Sequence, residues 1–215
     1  MYNLKEIEEE TGKNWKKINL LKKLEKKNSK GKNYFLLDGP PYANFVPHVG
    51  HIRNTVLKDF NIRLAFMKGR NVFFQPGFDT HGLPVENMVE KKLDLKSKKD
   101  IEKLGISKFT DLCKKLAATN KDTWMRVYDL LGSWYSWKEP YLTYENYYLE
   151  IGWWTFKRLW EKDLIYEGKK AVTWCPRCET ALAGYEVTDS YKNLRDPIVF
   201  VKFKIKNKDE YLLVF

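Results

Sequence analysis

A chain of 215 residues with 43% hydrophobic and 15% aromatic content can bury a sizeable core and does not belong with disordered polymers. Its formal net charge of +11 either draws polyanions or describes a lysine-rich soluble surface, and charge alone leaves both open. Three cysteines are too few for a disulfide framework and point to a reducing cytoplasm, while no apolar run reaches the roughly 20 residues that span a bilayer.

The polar, acidic stretch Met1 to Glu10 is unlike a secretory signal. In residues 3–28, Trp15, Ile18, Leu21 and Leu24 recur every third position, which predicts one or two packing helices. Asn28-Ser29-Lys30-Gly31 ends them. Tyr34-Phe35-Leu36-Leu37 predicts a short buried strand. A turn-rich stretch follows, from Asp38-Gly39-Pro40-Pro41-Tyr42-Ala43-Asn44 to His48-Val49-Gly50-His51. From His48 to Met67 the spacing of Val49, Ile52, Val56, Phe60 and Leu64 is helical, and Lys68-Gly69-Arg70 closes the helix. Asn71 to Gln75 predicts the next strand.

Strand, helix and strand over 34–75 have the size of a parallel crossover. Ligands in such sheets bind beyond the carboxyl ends of the strands. The stretches 38–51 and 76–86 leave those two ends, so both are expected to face one crevice.

Residues 82–104 predict an interrupted helix. Residues 107–131 predict a longer one with Phe109, Leu112, Leu116, Asn120, Trp124, Val127 and Leu131 on one face and Cys113 beside it. After the Glu139-Pro140 connection, Thr143 is expected to cap a helix running to about Asp163. Tyr147, Ile151 and Trp154 should face inward, and Trp153, Trp154 and Trp160 read as core, the alternative being a nucleic-acid stacking platform. A short extended segment is expected over 164–170. Trp174-Cys175-Pro176-Arg177-Cys178 then changes the character of the chain. Ile198 to Ile205 alternates like a half-buried strand, and Tyr211 to Phe215 begins its return.

All three histidines fall in the two crevice stretches, His48 and His51 in the first and His81 in the second. A helix beginning at His48 aims free N–H groups and its positive dipole end at the crevice, which makes an anion site. Two imidazoles there can donate hydrogen bonds to phosphate oxygens and stabilise charge building on a phosphorus centre. Gly50 leaves room for a nucleotide close to the backbone. The plainer alternative is two histidines that only cap a helix. Cys175 and Cys178 are spaced for one edge of a tetrahedral zinc site, but a closed structural site needs four ligands.

Asp-Gly-Pro-Pro-Tyr-Ala-Asn before His-x-Gly-His, followed by Gly77-Phe78-Asp79-Thr80-His81-Gly82-Leu83-Pro84-Val85-Glu86, resembles the class I aminoacyl-tRNA synthetases. The second string is similar to the isoleucyl-tRNA synthetase form; the valine and leucine enzymes share the first motif. The resemblance runs from about Trp15 to the last residue. It implies an α/β fold: the first half of a Rossmann-like nucleotide-binding domain with parallel strands, then the start of an inserted zinc-knuckle and β editing region. The implied domains are a helical segment at 1–32, the N-terminal half of the catalytic domain at 33–165, and the start of the insertion at 166–215. Phe45 stands where the family usually has glycine, and Phe78 where tryptophan is common.

The resemblance also implies a reaction. ATP activates isoleucine to isoleucyl-adenylate, and the residue passes to tRNA(Ile). His48 and His51 would hold the ATP phosphates and stabilise the transition state. Pro41, Tyr42, Ala43, Asn44 and Gly50 would complete the ATP side. Pro40 would wall the amino-acid pocket and Asp79 would take the substrate ammonium, with His81 positioning its loop. The implied cofactors are ATP with Mg²⁺, and Zn²⁺ shared between Cys175, Cys178 and ligands beyond the chain end. The second half of the nucleotide fold, the Lys-Met-Ser-Lys-Ser loop, the editing motif and the anticodon-binding helices do not occur in the sequence. The chain therefore reads as the front part of a longer cytoplasmic synthetase (truncated, split or expressed as a fragment), inactive alone, with a separately encoded C-terminal half as an expected partner. The alternatives are a non-catalytic paralogue or interaction module, or a valyl- or leucyl-type relative.

Overall fold

The computed structural model describes residues 3–188 and 191–215. The first two positions of the expected helical segment, and Asp189 and Ser190 of the expected insertion, lie outside the described residues. The chain divides into two units, Met1–Glu167 and Gly168–Phe215.

The first unit opens with two helices, α1 (Leu4–Lys17) and α2 (Leu20–Asn28). Asn19 separates them by adopting the left-handed region, which asparagine tolerates better than most residues. Strand β1 (Asn33–Leu37), helix α3 (Val49–Met67) and strand β2 (Asn71–Gln75) then form the expected crossover. The two strands pair in parallel, with Asn33 opposite Asn71 and Leu37 opposite Gln75. β1 is not the buried strand that its apolar run suggested. Tyr34 and Leu36 pack on the core, but Phe35 and Leu37 are exposed, because no described element of this unit covers their face. Phe35 instead stacks on Phe73 of β2 at 5.0 Å.

Next come strand β3 (Gly77–Phe78) and helices α4 (Leu83–Leu93), α5 (Lys98–Leu104) and α6 (Ile106–Leu130). A 3-10 helix, Trp134–Trp137, leads to strand β4 (Tyr141–Leu142) and helix α7 (Asn146–Trp160). β4 pairs in parallel with β3. The core lies between α3, β2, β3, α6 and the 3-10 helix: Ile62, Phe66, Phe74, Phe78, Trp124, Tyr128, Trp134 and Tyr135 form one buried cluster. Asp59 of α3 ties these layers together. Its carboxylate accepts the Trp134 N–H at 2.8 Å and pairs with Arg63 at 2.7 Å, and the Arg63 guanidinium lies over the Trp134 ring.

Two expectations about α7 need correction. The helix starts after Glu145, and Thr143 spends its hydroxyl elsewhere. No residue of α7 is buried: Tyr147, Ile151, Trp153, Trp154 and Trp160 are all exposed. The apolar spacing describes a face that no described element of this unit covers.

Residues 164–170, where a short extended segment was expected, form no strand. The second unit contains two antiparallel hairpins, β5 (Trp174–Cys175) with β6 (Thr180–Ala181) and β7 (Val201–Lys204) with β8 (Tyr211–Val214), and a short helix α8 (Gly184–Thr188) between them. β7 and β8 are exposed on both faces, so among the described residues of this unit no layer packs on the expected half-buried strand. Among the described residues no helix is long and apolar enough to cross a membrane.

Candidate active site

The two crevice stretches meet through their backbones. β1 and β2 part after Leu37 and Gln75, where the Asp38 N–H still donates to the Gln75 carbonyl at 3.0 Å. The chains then join again. Ala43 N–H donates to the Asp79 carbonyl and Asp79 N–H to the Pro41 carbonyl, both at 2.8 Å. Pro40 and Pro41 are half-buried between these two ties.

Asp38 anchors the strand end. Its buried carboxylate pairs with Lys58 of α3 and accepts the Gly77 N–H at 3.4 Å. Burial pushes the Asp38 carboxyl above the ordinary carboxylate value, against the pull of Lys58. The Tyr141 hydroxyl donates to the Asp38 carbonyl at 2.6 Å. The Tyr141 ring packs so closely on Gly77 that a Cβ there would come within 2.1 Å of it. Hence the residue at 77 has no side chain.

At the start of α3 the two histidines hold each other's backbone. His48 Nδ1 accepts the Gly50 N–H at 3.1 Å, and His51 Nδ1 accepts the His48 N–H at 3.3 Å. This is a capping box made of imidazoles. An Nδ1 that accepts cannot carry the proton of a neutral imidazole, so both rings carry it on Nε2. Capping and chemistry are therefore one arrangement: the cap prepares two Nε2–H donors beside the free N–H groups of a helix start. The rings lie 3.8 Å apart between centroids. A Cβ at Gly50 would meet the His48 ring at 3.0 Å, so this glycine makes room for the imidazole itself. Burial, helped by His48 and Lys58, holds the His51 imidazole below its ordinary pKa.

Helix α6 braces this turn. Trp124 Nε1 donates to the Phe45 carbonyl at 2.8 Å, and Asn120 Nδ2 donates to the Ala43 carbonyl at 2.9 Å. The Trp124 ring also rests 4.7 Å from that of His51, while Phe45 stacks on His48 at 6.1 Å. The sequence places Asn120 and Trp124 on a packing face; their role at the loop was missed. A polar Asn120 within an apolar stripe was the available signal. Asn44 Oδ1 is buried without a hydrogen-bond partner among the described residues, leaving one acceptor in the loop unused.

On the other side, Asp79 Oδ1 accepts from the Thr143 hydroxyl at 3.2 Å. His81 Nδ1 lies 2.8 Å from the same hydroxyl. Asp79 and His81 are thus brought together by a residue 64 and 62 positions away.

In the second unit the Cys178 N–H donates to Cys175 Sγ at 3.4 Å across the β5–β6 turn. That bond pulls the Cys175 thiol below its ordinary pKa, while burial pushes Cys178 up. Among the described residues no third His, Cys, Asp or Glu joins them. Cys113, on α6, is a separate thiol that burial raises to about 11.

The family of class I tRNA synthetases for isoleucine, leucine, methionine and valine matches residues 10–209. The isoleucine–tRNA ligase of Pyrococcus horikoshii is 44% identical over 216 aligned residues, covering 100% of this chain. Those of Thermococcus kodakarensis and Clostridium kluyveri are 45% and 42% identical. The chain spans about a fifth of the length of these relatives, 20% in each case. Among solved structures, the leucyl-tRNA synthetase of Agrobacterium radiobacter K84, in its ternary complex with tRNA and LeuAMS, matches 87% of this chain and 22% of its own. The TM-score is 0.62 and the identity 25%.

Proposed function

The chain belongs to the class I tRNA synthetases, and from that membership we propose that it carries the front half of an isoleucine-activating site. In the proposed reaction the isoleucine carboxylate attacks the α-phosphorus of ATP in line, forming isoleucyl-adenylate and releasing pyrophosphate. The residue then passes to tRNA(Ile). Such chemistry asks for position and charge stabilisation and needs no protein nucleophile.

The observation that carries the reading is the pair of Nε2–H donors at the start of α3, on a loop tied through its backbone to Asp79. In this reading His48 and His51 donate to phosphate oxygens as negative charge builds on them, beside the helix N-terminus. Gly50 lets His48 fold back onto that terminus. Pro41, Tyr42, Ala43 and Asn44 form the ATP wall. Pro40 lines the amino-acid side, and Asp79 receives the ammonium. Mg²⁺ would accompany ATP and neutralise part of the phosphate charge.

We assign residues 1–32 to a helical lead segment, 33–165 to the front half of the catalytic domain and 166–215 to the start of an inserted editing region. Cys175 and Cys178 would supply two of four ligands to a structural zinc, with the other two beyond this chain. The proposed setting is the cytoplasm, with the remaining part of the synthetase as partner, on the same or a separate polypeptide.

The test is isoleucine-dependent ATP–pyrophosphate exchange by this chain with the remaining part of a related isoleucine–tRNA ligase supplied. Exchange is expected with the assembly and not with the chain alone. H48A should lower it by about 100-fold or more. An assembled complex with no exchange would sink the catalytic reading.

A further inference from the structure

Thr143 is 4% exposed, and its hydroxyl sits among four polar groups. The Thr80 N–H donates to its Oγ1 at 3.0 Å. Asp79 Oδ1 lies at 3.2 Å, His81 Nδ1 at 2.8 Å and Thr80 Oγ1 at 3.3 Å. A hydroxyl has one proton to give and two lone pairs that can receive. Four neighbours therefore exceed its capacity by one.

The count decides who donates. The Thr80 N–H takes one lone pair. The Asp79 carboxylate only accepts, so its bond consumes the single Thr143 proton. Thr80 Oγ1 already accepts the Tyr144 N–H at 3.1 Å and is the more distant claimant on the second lone pair. His81 Nδ1, the nearest of the four, can then bond only as a donor, with its proton on Nδ1. If an ammonium draws the Asp79 carboxylate away from Thr143, the Thr143 proton is free to point at Nδ1. Neutral His81 must then carry its own proton on Nε2. The ring is exposed, so solvent takes the proton from one nitrogen and returns one to the other with no change in charge.

We infer that Thr143 is a positioning residue that couples Asp79 to His81: engagement of Asp79 by an ammonium group moves the His81 proton from Nδ1 to Nε2. Occupancy of the amino-acid side then turns His81 Nε2 from an acceptor into a donor. This deepens the reading of Asp79 given above and rests on it for the identity of the ligand. The sharing of one proton between Asp79 and His81 stands on geometry alone.

The experiment is ¹⁵N NMR of the full chain labelled at histidine, at a pH above the imidazole range. With three histidines in the chain, H81Q assigns the resonances. In the ligand-free protein the His81 Nδ1 signal is expected in the protonated region and Nε2 in the unprotonated region. D79A should exchange the two. T143V should abolish the response to D79A, and T143S should restore it. A His81 that keeps one tautomer in the parent and in D79A overturns the coupling, as does an unchanged response in T143V. D79A carries the test by itself if T143V does not fold. With the unlabelled remaining part of a related isoleucine–tRNA ligase supplied, saturating L-isoleucine should reproduce the D79A spectrum, and 3-methylpentanoate, the same skeleton without the ammonium, should not. A switch in D79A with no response to isoleucine supports the coupling and overturns the reading of Asp79 as the ammonium site.

Discussion

Helices α6 and α7 carry the same kind of sequence and have opposite fates. Both set large aromatic side chains at helical spacing, Trp124 and Tyr128 in α6 and Trp153, Trp154 and Trp160 in α7. Trp124 of α6 is 1% exposed, lies edge-on to Phe78 at 5.8 Å and spends its indole N–H on the Phe45 carbonyl. Trp154 of α7 is 62% exposed, and Trp153 and Trp160 are as open. Apolar character does not separate the helices, since α7 is the more apolar of the two. The separation comes from what each one meets. α6 packs against α4 and the 3-10 helix Trp134–Trp137, whereas the aromatic stacking of α7 among the described residues is Tyr148 on Tyr141 at 5.7 Å. An apolar stripe says that a helix has a face to bury and does not say what buries it.

The largest expected effect lies at Trp124. W124A should cost about 4 kcal/mol in chemical denaturation, as for other fully buried tryptophans cut to alanine. The ring also covers His51, so the same variant should loosen the histidine turn. A loss no larger than that of a surface substitution would erase the contrast between the two helices.

A smaller effect concerns protons. His51 should titrate below the ordinary imidazole value of about 6.5. Between its folded value and the ordinary one, the unfolded chain holds more protons. Stability should therefore rise with pH across that window and fall as acid protonates His51. W124A should move the midpoint up towards the ordinary value, since burial is the leading cause of the shift. NMR of the ring C–H signals reads both, and a His51 midpoint above the ordinary value would refute the half-buried, neutral ring.

The smallest effect is the sharpest comparison. Trp153→Ser with Trp154→Ser in α7 should change the stability of this chain by no more than about 0.5 kcal/mol each, as at other surface positions. Equal losses in α6 and α7, measured by urea midpoint, would mean that α7 has a partner within the chain after all.

Much of the crossover was legible in advance. The apolar run 34–37, the helical spacing from 49 to 67 and the run 71–75 appear as a parallel strand, helix and strand. The meeting of 38–51 with 76–86 followed from topology, and the Pro41–Asp79 and Ala43–Asp79 hydrogen bonds are its physical form. The exposure of β1, α7 and β7 departs from their apolar patterns for one shared reason. Period and composition report an element's own faces, and burial depends on a second element that local sequence does not name.

By itself the sequence determined the parallel crossover, the family, and the histidines and aspartate that could do chemistry. The crossover is local, and short-range sterics and spacing are enough to specify it; the family and its site residues rest on the resemblance of two motif-sized strings. Only the tertiary structure decided that His48 and His51 each carry their proton on Nε2, that Asn120 and Trp124 hold the loop, and that Thr143 joins Asp79 to His81. Two of those braces span 77 and 64 positions of chain. A hydroxyl or amide finds such a partner only once the fold has brought the distant backbone to it.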